Sequence, residues 1–167
     1  DALHLGEISL ECSRAGAAAG ALWLTLQVLP LAADRGLGPI LAASLRAARR
    51  WAALLQQSEL LRLVQPPELD ILTYYPATEP PLASAVDAAT QRLFQEAMQD
   101  PEDPVFLSVL RLPAEALRHH WPALQPDQPE TRVLRSVLMK PEHERYVTHL
   151  HERLQQLAHR MWRPAEK

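Results

Sequence analysis

The sequence predicts an α+β fold, in which a small, mostly antiparallel sheet carries helices on one face and a long apolar helix precedes it. Three observations support this prediction. Segments with apolar side chains at three- and four-residue spacing alternate with apolar runs of strand length. Single helices and long connections separate the strands, which favours antiparallel pairing. Apolar residues make up 47% of the 167 residues, which is enough for a sizeable core.

The first half of the chain predicts three helices and two strands. Residues 15–29 are almost all apolar, and Pro30 ends this first helix. Leucine and alanine recur at helical spacing over residues 40–57, which gives the second helix one apolar face. Two short apolar runs with prolines between and after them are typical of strands. The predicted elements are helices at 15–29, 40–57 and 83–99 and strands at 60–64 and 69–75.

The second half predicts two strands and a final helix. A strand is expected at 105–112, after a segment rich in proline and aspartate ends the third helix. Residues 113–130 are rich in proline and are predicted to be irregular. A fourth strand is expected at 131–139, and Pro141 suits the first turn of the last helix.

The first helix is apolar around its whole circumference, and a helix of that kind must be buried. We therefore expect it to pack against a further domain or a second subunit. A membrane span is disfavoured, because a glutamine, a proline and an aspartate cut the apolar stretch short.

Charge and cysteine content argue against several classes of protein. The net charge is −3, and the 17 basic residues form no block, which disfavours a nucleic-acid-binding protein. Cys12 is the single cysteine, so an internal disulfide is excluded and a cytoplasmic location is expected. Seven histidines are present, but no two are four residues apart on a predicted helix, so no metal site is predicted.

Arg135 is the candidate binding residue of the predicted fourth strand. Strand alternation places it on the same face as Val133 and Val137, where a charged group is costly unless a carboxylate meets it. One interpretation is a structural ion pair with an aspartate or glutamate of this chain, and the residues alone favour it. The other is capture of a substrate carboxylate, which suits the two-pronged guanidinium.

His120 and Trp121 lie in the proline-rich connection, where functional side chains often concentrate. They could line a substrate pocket, although a packed or solvated loop is the plainer interpretation. Cys12 is expected to be a packed small residue rather than a nucleophile.

The turn Cys12-Ser13-Arg14 follows a short strand, and the helix after it contains the step Leu22-Trp23. This arrangement resembles pyridoxal-phosphate-dependent group II amino-acid decarboxylases, of the glutamate and aromatic amino-acid decarboxylase type, which share the aminotransferase-like fold type I. Those enzymes carry a Cys-Gly-Arg turn at the domain junction, and then a helix with a Leu-Trp step. The resemblance implies that residues 1–57 are the end of the cofactor domain with its linker helices, and that residues 58–167 are the small C-terminal domain.

The predicted fourth strand is similar to a second motif of the same family. Leu134, Arg135 and Pro141 stand at the places of a strand pattern that the family follows with its last helix. The family usually has asparagine before this proline, and this chain has Lys140. In the family, the arginine of the strand binds the α-carboxylate of the amino-acid substrate. The resemblance therefore implies that Arg135 is the substrate-binding residue of this chain.

The resemblance also implies pyridoxal phosphate (PLP) in the complete enzyme, bound through a Schiff-base lysine, and a homodimer. Lys140 and Lys167 are the two lysines, and neither has the setting of a cofactor lysine. The chain alone is therefore expected to be inactive and to bind no cofactor covalently, with the N-terminal cofactor domain as its missing partner. Two alternatives stay open, namely a non-catalytic α+β interaction or dimerisation domain and an aminotransferase or lyase of the same fold.

Overall fold

A computed structural model describes residues 16–162 of the chain. The chain divides into two compact units, residues 1–40 and residues 41–167. The domain boundary after residue 57 stays a prediction for the complete enzyme. In chain order the described elements are α1 (Ala17–Val28), α2 (Leu37–Gln56), β1 (Leu61–Leu63), β2 (Ile71–Pro76), α3 (Ala83–Gln99), β3 (Ser108–Pro113), α4 (Ala114–His120), β4 (Glu130–Val137) and α5 (His143–Trp162).

The first unit contains α1, a helix without a charged side chain. None of its side chains is buried, and Leu22, Trp23 and Val28 are 60%, 64% and 73% exposed. Over residues 16–162, no helix is both long and apolar enough to span a lipid bilayer. The predicted role of this helix as a long linker, packed against a further domain or subunit, stays a prediction.

A tight turn precedes α2 in the first unit. The N–H groups of Ala32 and Leu37 both donate to the carbonyl oxygen of Pro30, each at 3.0 Å. The chain closes this turn at Gly36, whose φ of 65° lies in the left-handed region that favours glycine. A Cβ atom at this position would overlap the carbonyl oxygen of Pro30, so the turn requires glycine.

The second unit contains a four-stranded sheet in the order β1-β2-β4-β3, and every strand pair in it is antiparallel. The last strand in the chain, β4, therefore lies between β2 and β3. Tyr74 of β2 lies opposite Leu134 of β4, and one step further Thr73 lies opposite Arg135. On the other side of β4, Ser108 of β3 is the partner of Arg135.

Helices cover the side of the sheet to which Leu72, Tyr74 and Leu134 alternate. These side chains are fully buried and belong to the larger core cluster. The amphipathic helices α2, α3 and α5 supply the other large side chains of this cluster, because each directs one apolar stripe at the sheet. Those helical core residues include Trp51, Leu55, Leu93, Val147, Leu154 and Leu157.

A smaller core cluster forms around Tyr75 and Val133, which alternate to the opposite side of the sheet. Leu117 of α4 and Leu124, in the connection after it, are buried in this cluster. The predicted arrangement has helices on one face, whereas here a short helix also contributes to the second cluster.

The prediction that residues 113–130 are irregular is wrong for the helix α4. Ala114 and Leu117 are buried at a spacing of three residues, and Pro113 stands just before the first turn, where its missing N–H costs nothing. The strand predicted at 105–112 begins only at Ser108. Val105 is buried all the same, because its N–H bonds to the end of α3 and its side chain enters the larger core.

Candidate functional site

Arg135 lies on β4, one of the two interior strands of the sheet, with a paired strand on each side. Thr73 of β2 and Ser108 of β3 are its two register partners. The hydroxyl of Ser108 donates a hydrogen bond of 2.8 Å to the carbonyl oxygen of Arg135. The backbone that carries the guanidinium is therefore held from both sides, which limits the positions the side chain can reach.

The guanidinium of Arg135 has no acidic partner within residues 16–162. None of the ion pairs formed there involves Arg135, and its Nε is buried without a hydrogen-bond acceptor. The structural ion pair, which the residues alone favour, is thus not formed by the described part of the chain. A buried donor left in this state is costly, so an acceptor is expected from elsewhere.

Arg132, three residues earlier on the same strand, shows what a structural ion pair looks like here. Its Nε and a terminal nitrogen donate to the two oxygens of Asp87, and its other terminal nitrogen donates to Gln91 at 2.6 Å. The hydrogen bond from Arg132 is the main reason that the pKa of Asp87 is lowered. The two arginines of β4 therefore differ. The guanidinium of Arg132 donates to acceptors within the chain, whereas the Nε of Arg135 has no acceptor among the described residues.

A cleft of about 500 Å³ lies beside Arg135, between the segment before β3, the end of β4 and the start of α5. This volume is in the range of small-molecule sites. No aspartate or glutamate lines it. The lining residues are Trp51, Pro104, Val105, Phe106, Leu107, Ser108, Arg135, Ser136, Val137, Leu138, His143, Tyr146 and Leu150.

Most of these lining residues could not be recognised as site residues from the sequence. Phe106 and Tyr146 are exposed aromatic side chains, at 79% and 45%, in a predicted strand and a predicted helix respectively. Only the fold brings them to one cleft, because they come from segments forty residues apart. Ser108 could have been noticed as a polar residue at the start of a strand, but its pairing with Arg135 depends on register.

The structure does not place His120 and Trp121 among the residues that line this cleft. Trp121 is the residue after α4, and it stacks on Tyr75 with ring centroids 5.6 Å apart. The guanidinium of Arg62 lies over the Trp121 ring at 5.0 Å. Burial raises the pKa of Tyr75 to about 12, and the positive charge of Arg62 opposes that rise. The substrate contacts suggested for His120 and Trp121 stay predictions.

Two further predictions concern the domain-junction turn and metal binding. Cys12 and Arg14, assigned to the domain-junction turn, lie outside the described residues. Within residues 16–162, no three side chains of histidine, cysteine, aspartate or glutamate come close enough to hold a metal ion.

Solved structures similar to this chain include group II PLP-dependent decarboxylases. Oryza sativa TDC with PLP is 14% identical over 94% of this chain and 30% of its own, with a TM-score of 0.64. Mouse CSAD in apo form is 14% identical over 92% and 30%, with a TM-score of 0.58. Catharanthus roseus tryptophan decarboxylase in complex with L-tryptophan is 14% identical over 81% and 25%, with a TM-score of 0.56.

These comparisons establish the fold. The chain has the fold of part of a PLP-dependent amino-acid decarboxylase, and it spans about a quarter to three tenths of the chains it resembles. No family model matches the sequence, and no curated protein sequence matches it.

The described residues do not fit a covalent PLP site. Lys140 is the one lysine among them, and it is exposed just beyond the end of β4. A Schiff-base lysine must instead be held at the cofactor, in a site that orients it. Any lysine that holds the cofactor must therefore come from outside the described residues.

Proposed function

We propose that this chain is the C-terminal part of a PLP-dependent group II amino-acid decarboxylase-like enzyme, and that Arg135 binds the α-carboxylate of its substrate. One observation carries the proposal: a guanidinium with no carboxylate partner among the described residues lies beside an acid-free cleft. The fold shared with solved decarboxylases supports it.

The physical argument rests on what would satisfy Arg135. Its Nε is buried without an acceptor, and a carboxylate accepts two parallel hydrogen bonds from a guanidinium. A substrate carboxylate would supply both the missing acceptor and the missing negative charge. Ser108 and Thr73, on the neighbouring strands, would hold the backbone of Arg135 in place while the substrate binds and leaves.

In this proposal, the rest of the enzyme supplies the cofactor and the lysine that holds it. PLP acts as the electron sink when an amino acid loses carbon dioxide. The cofactor domain and its lysine lie upstream of the described residues, and this chain alone is inactive. We propose a homodimeric, cytoplasmic enzyme, as the resemblance of the sequence implies.

Arg135→Ala in the complete enzyme tests the proposal. The loss of a charge-assisted, two-pronged contact costs about 1.5–3 kcal/mol, so kcat/KM should fall by about tenfold or more. Arg135→Lys should restore only part of this loss, because an ammonium group cannot present the same geometry. Arg111→Ala is the matched control, because Arg111 is an exposed arginine of the same sheet that does not line the Arg135 cleft. Carbon dioxide release from a panel of amino acids is the measurement.

The opposite result would favour a non-catalytic interaction domain. If Arg135→Ala leaves kcat/KM intact and sharply lowers the melting temperature, Arg135 is a structural residue and the proposed anchor is wrong. One observation makes this second function worth testing: α1 exposes Leu22, Trp23 and Val28 together, and apolar surface of this kind is typical of association.

A further inference from the structure

Ser108 brings a hydroxyl group to the side of the sheet that carries Arg135. The two residues lie directly opposite one another on β3 and β4, and opposite residues of antiparallel strands share a face. The hydroxyl of Ser108 lies 2.8 Å from the carbonyl oxygen of Arg135, and both residues line the cleft. Register and a direct contact therefore place this hydroxyl beside the strand position that carries the guanidinium.

The carbonyl oxygen of Arg135 does not depend on the Ser108 hydroxyl for a donor. Further along the same strand pair, the N–H of Ala114 donates to the carbonyl oxygen of Pro129. Hydrogen-bonded pairs recur at every second residue of antiparallel strands, so Ser108 and Arg135 form one as well. The carbonyl oxygen of Arg135 thus accepts the backbone N–H of Ser108, and it keeps this bond when the hydroxyl turns to another acceptor.

The other serine that lines the cleft is placed differently. Ser136 shares a hydrogen bond of 3.0 Å with Tyr74, and it alternates to the opposite side of β4 from Arg135. No aspartate or glutamate of the described chain lines the cleft. Of these two serines, Ser108 is therefore the one whose hydroxyl lies on the guanidinium side of the sheet and can donate to an anion bound there.

We infer that Ser108 is a second recognition residue of this cleft, whose hydroxyl donates to the carboxylate that Arg135 binds. This inference rests on the proposed function, and it adds a residue that no sequence motif pointed to. A carboxylate has two acceptor oxygens with several lone pairs, so it accepts from a guanidinium and a hydroxyl at the same time. The ligand is a carboxylate with an apolar body, because Phe106 and Val137 line the same cleft.

The test uses 3-phenylpropionate as the probe and the full chain labelled with ¹⁵N. The shift of the Arg135 Nε–H signal measures binding, and Arg135→Lys removes this signal and thereby assigns it. Ser108→Ala should weaken probe binding by about tenfold, because a hydrogen bond to a charged group is lost. Ser108→Thr keeps a hydroxyl and should restore most of the affinity. Thr73→Val is the matched control and should leave the affinity unchanged, because Thr73 flanks Arg135 on the β2 side and does not line the cleft.

The position of the Arg135 signal in the free variants separates a direct contact from a positioning effect. In Ser108→Ala it should move no further than it does in Thr73→Val. A larger displacement together with weaker binding would show that Ser108 only positions Arg135, and the inference would be wrong. If Ser108→Ala fails to fold, the unsubstituted chain still decides. A nuclear Overhauser effect is then expected between the β-protons of Ser108 and the methylene next to the probe carboxylate, and its absence at saturation would refute the contact.

Failure of the inference and failure of the proposed anchor give different results. Affinity that Ser108→Ala leaves unchanged, while Arg135→Ala abolishes binding, would overturn the inference and leave the anchor standing. Binding that survives Arg135→Ala unchanged would overturn the anchor and the inference with it. Absence of saturable binding to the unsubstituted chain would overturn the inference as well.

Discussion

Asp87 should contribute more to stability than any exposed charged residue of the chain. Its carboxylate accepts the Nε and a terminal nitrogen of Arg132, and also the backbone N–H of Arg132 at 2.8 Å. That N–H has no strand partner on the β2 side, because the pairing of β2 with β4 ends at Leu134. Asp87 therefore replaces a missing strand at this point of the sheet.

Asp87→Ala removes all three hydrogen bonds and leaves the backbone N–H of Arg132 without its acceptor. An unsatisfied buried donor costs about 1–3 kcal/mol, and the lost pair with a guanidinium adds to it, so we expect a loss of about 3 kcal/mol. For a chain of this size, each kcal/mol lowers the melting temperature by about 2–4 °C. The melting temperature should thus fall by about 6–12 °C.

Thermal unfolding followed by circular dichroism measures this loss, and Glu96→Gln is the control. Glu96 pairs with Arg92 one turn away on an exposed helix face, and such pairs contribute about 0.5 kcal/mol or less. Lowering the pH should destabilise the chain, as the substitution does, because it protonates the Asp87 carboxylate. The pKa of Asp87 is lowered in the folded chain. The contribution of Asp87 to stability is therefore fully present above pH 3.8, and it is lost as the pH falls through the folded-state pKa. Equal melting temperatures for Asp87→Ala and Glu96→Gln would refute this reasoning.

Two further predictions concern a histidine and two glycines. Burial lowers the pKa of His151 from 6.5, so below that pH the unfolded chain binds a proton that the folded chain does not. Stability should therefore fall as the pH is lowered below about 7, and His151→Leu should flatten this dependence in urea titrations. An unchanged slope of stability against pH would contradict this prediction. Gly36→Ala should disrupt the turn before α2, whereas Gly20→Ala, whose Cβ meets nothing within 4 Å, should stabilise α1 by about 1 kcal/mol. Far-UV circular dichroism should show opposite changes in helix content, and changes of the same sign would disprove this account.

The bounds of an element could be predicted from the sequence where helix-breaking residues stand at both of its ends. The helix α3 matches its predicted bounds, because proline precedes it and an Asp-Pro step follows it. The start of β3 was misplaced for the opposite reason. Val105 is apolar and buried, and an apolar run does not reveal whether its side chains are buried by a strand or by a loop.

The candidate site was predictable in part. Strand alternation and a family resemblance both single out Arg135, but neither can show whether an acidic residue lies beside it. The presence of an acidic partner depends on which chain segments meet, and no local sequence pattern predicts the sheet order β1-β2-β4-β3. Trp51 illustrates the same limit. Its place on the apolar face of α2 predicts burial, whereas its unsatisfied N–H appears only once the core is assembled.

The central position of β4 sets a condition on how this domain can be made. In the described sheet, β3 pairs only with β4, and β2 gains its second neighbour from it. A ribosome must therefore synthesise β4, which begins at Glu130, before β3 has any strand to bond with, and until then the backbone groups of β3 are open to other chains. A nascent chain that stalls before Glu130 should be a substrate for chaperones or aggregation rather than a half-built domain.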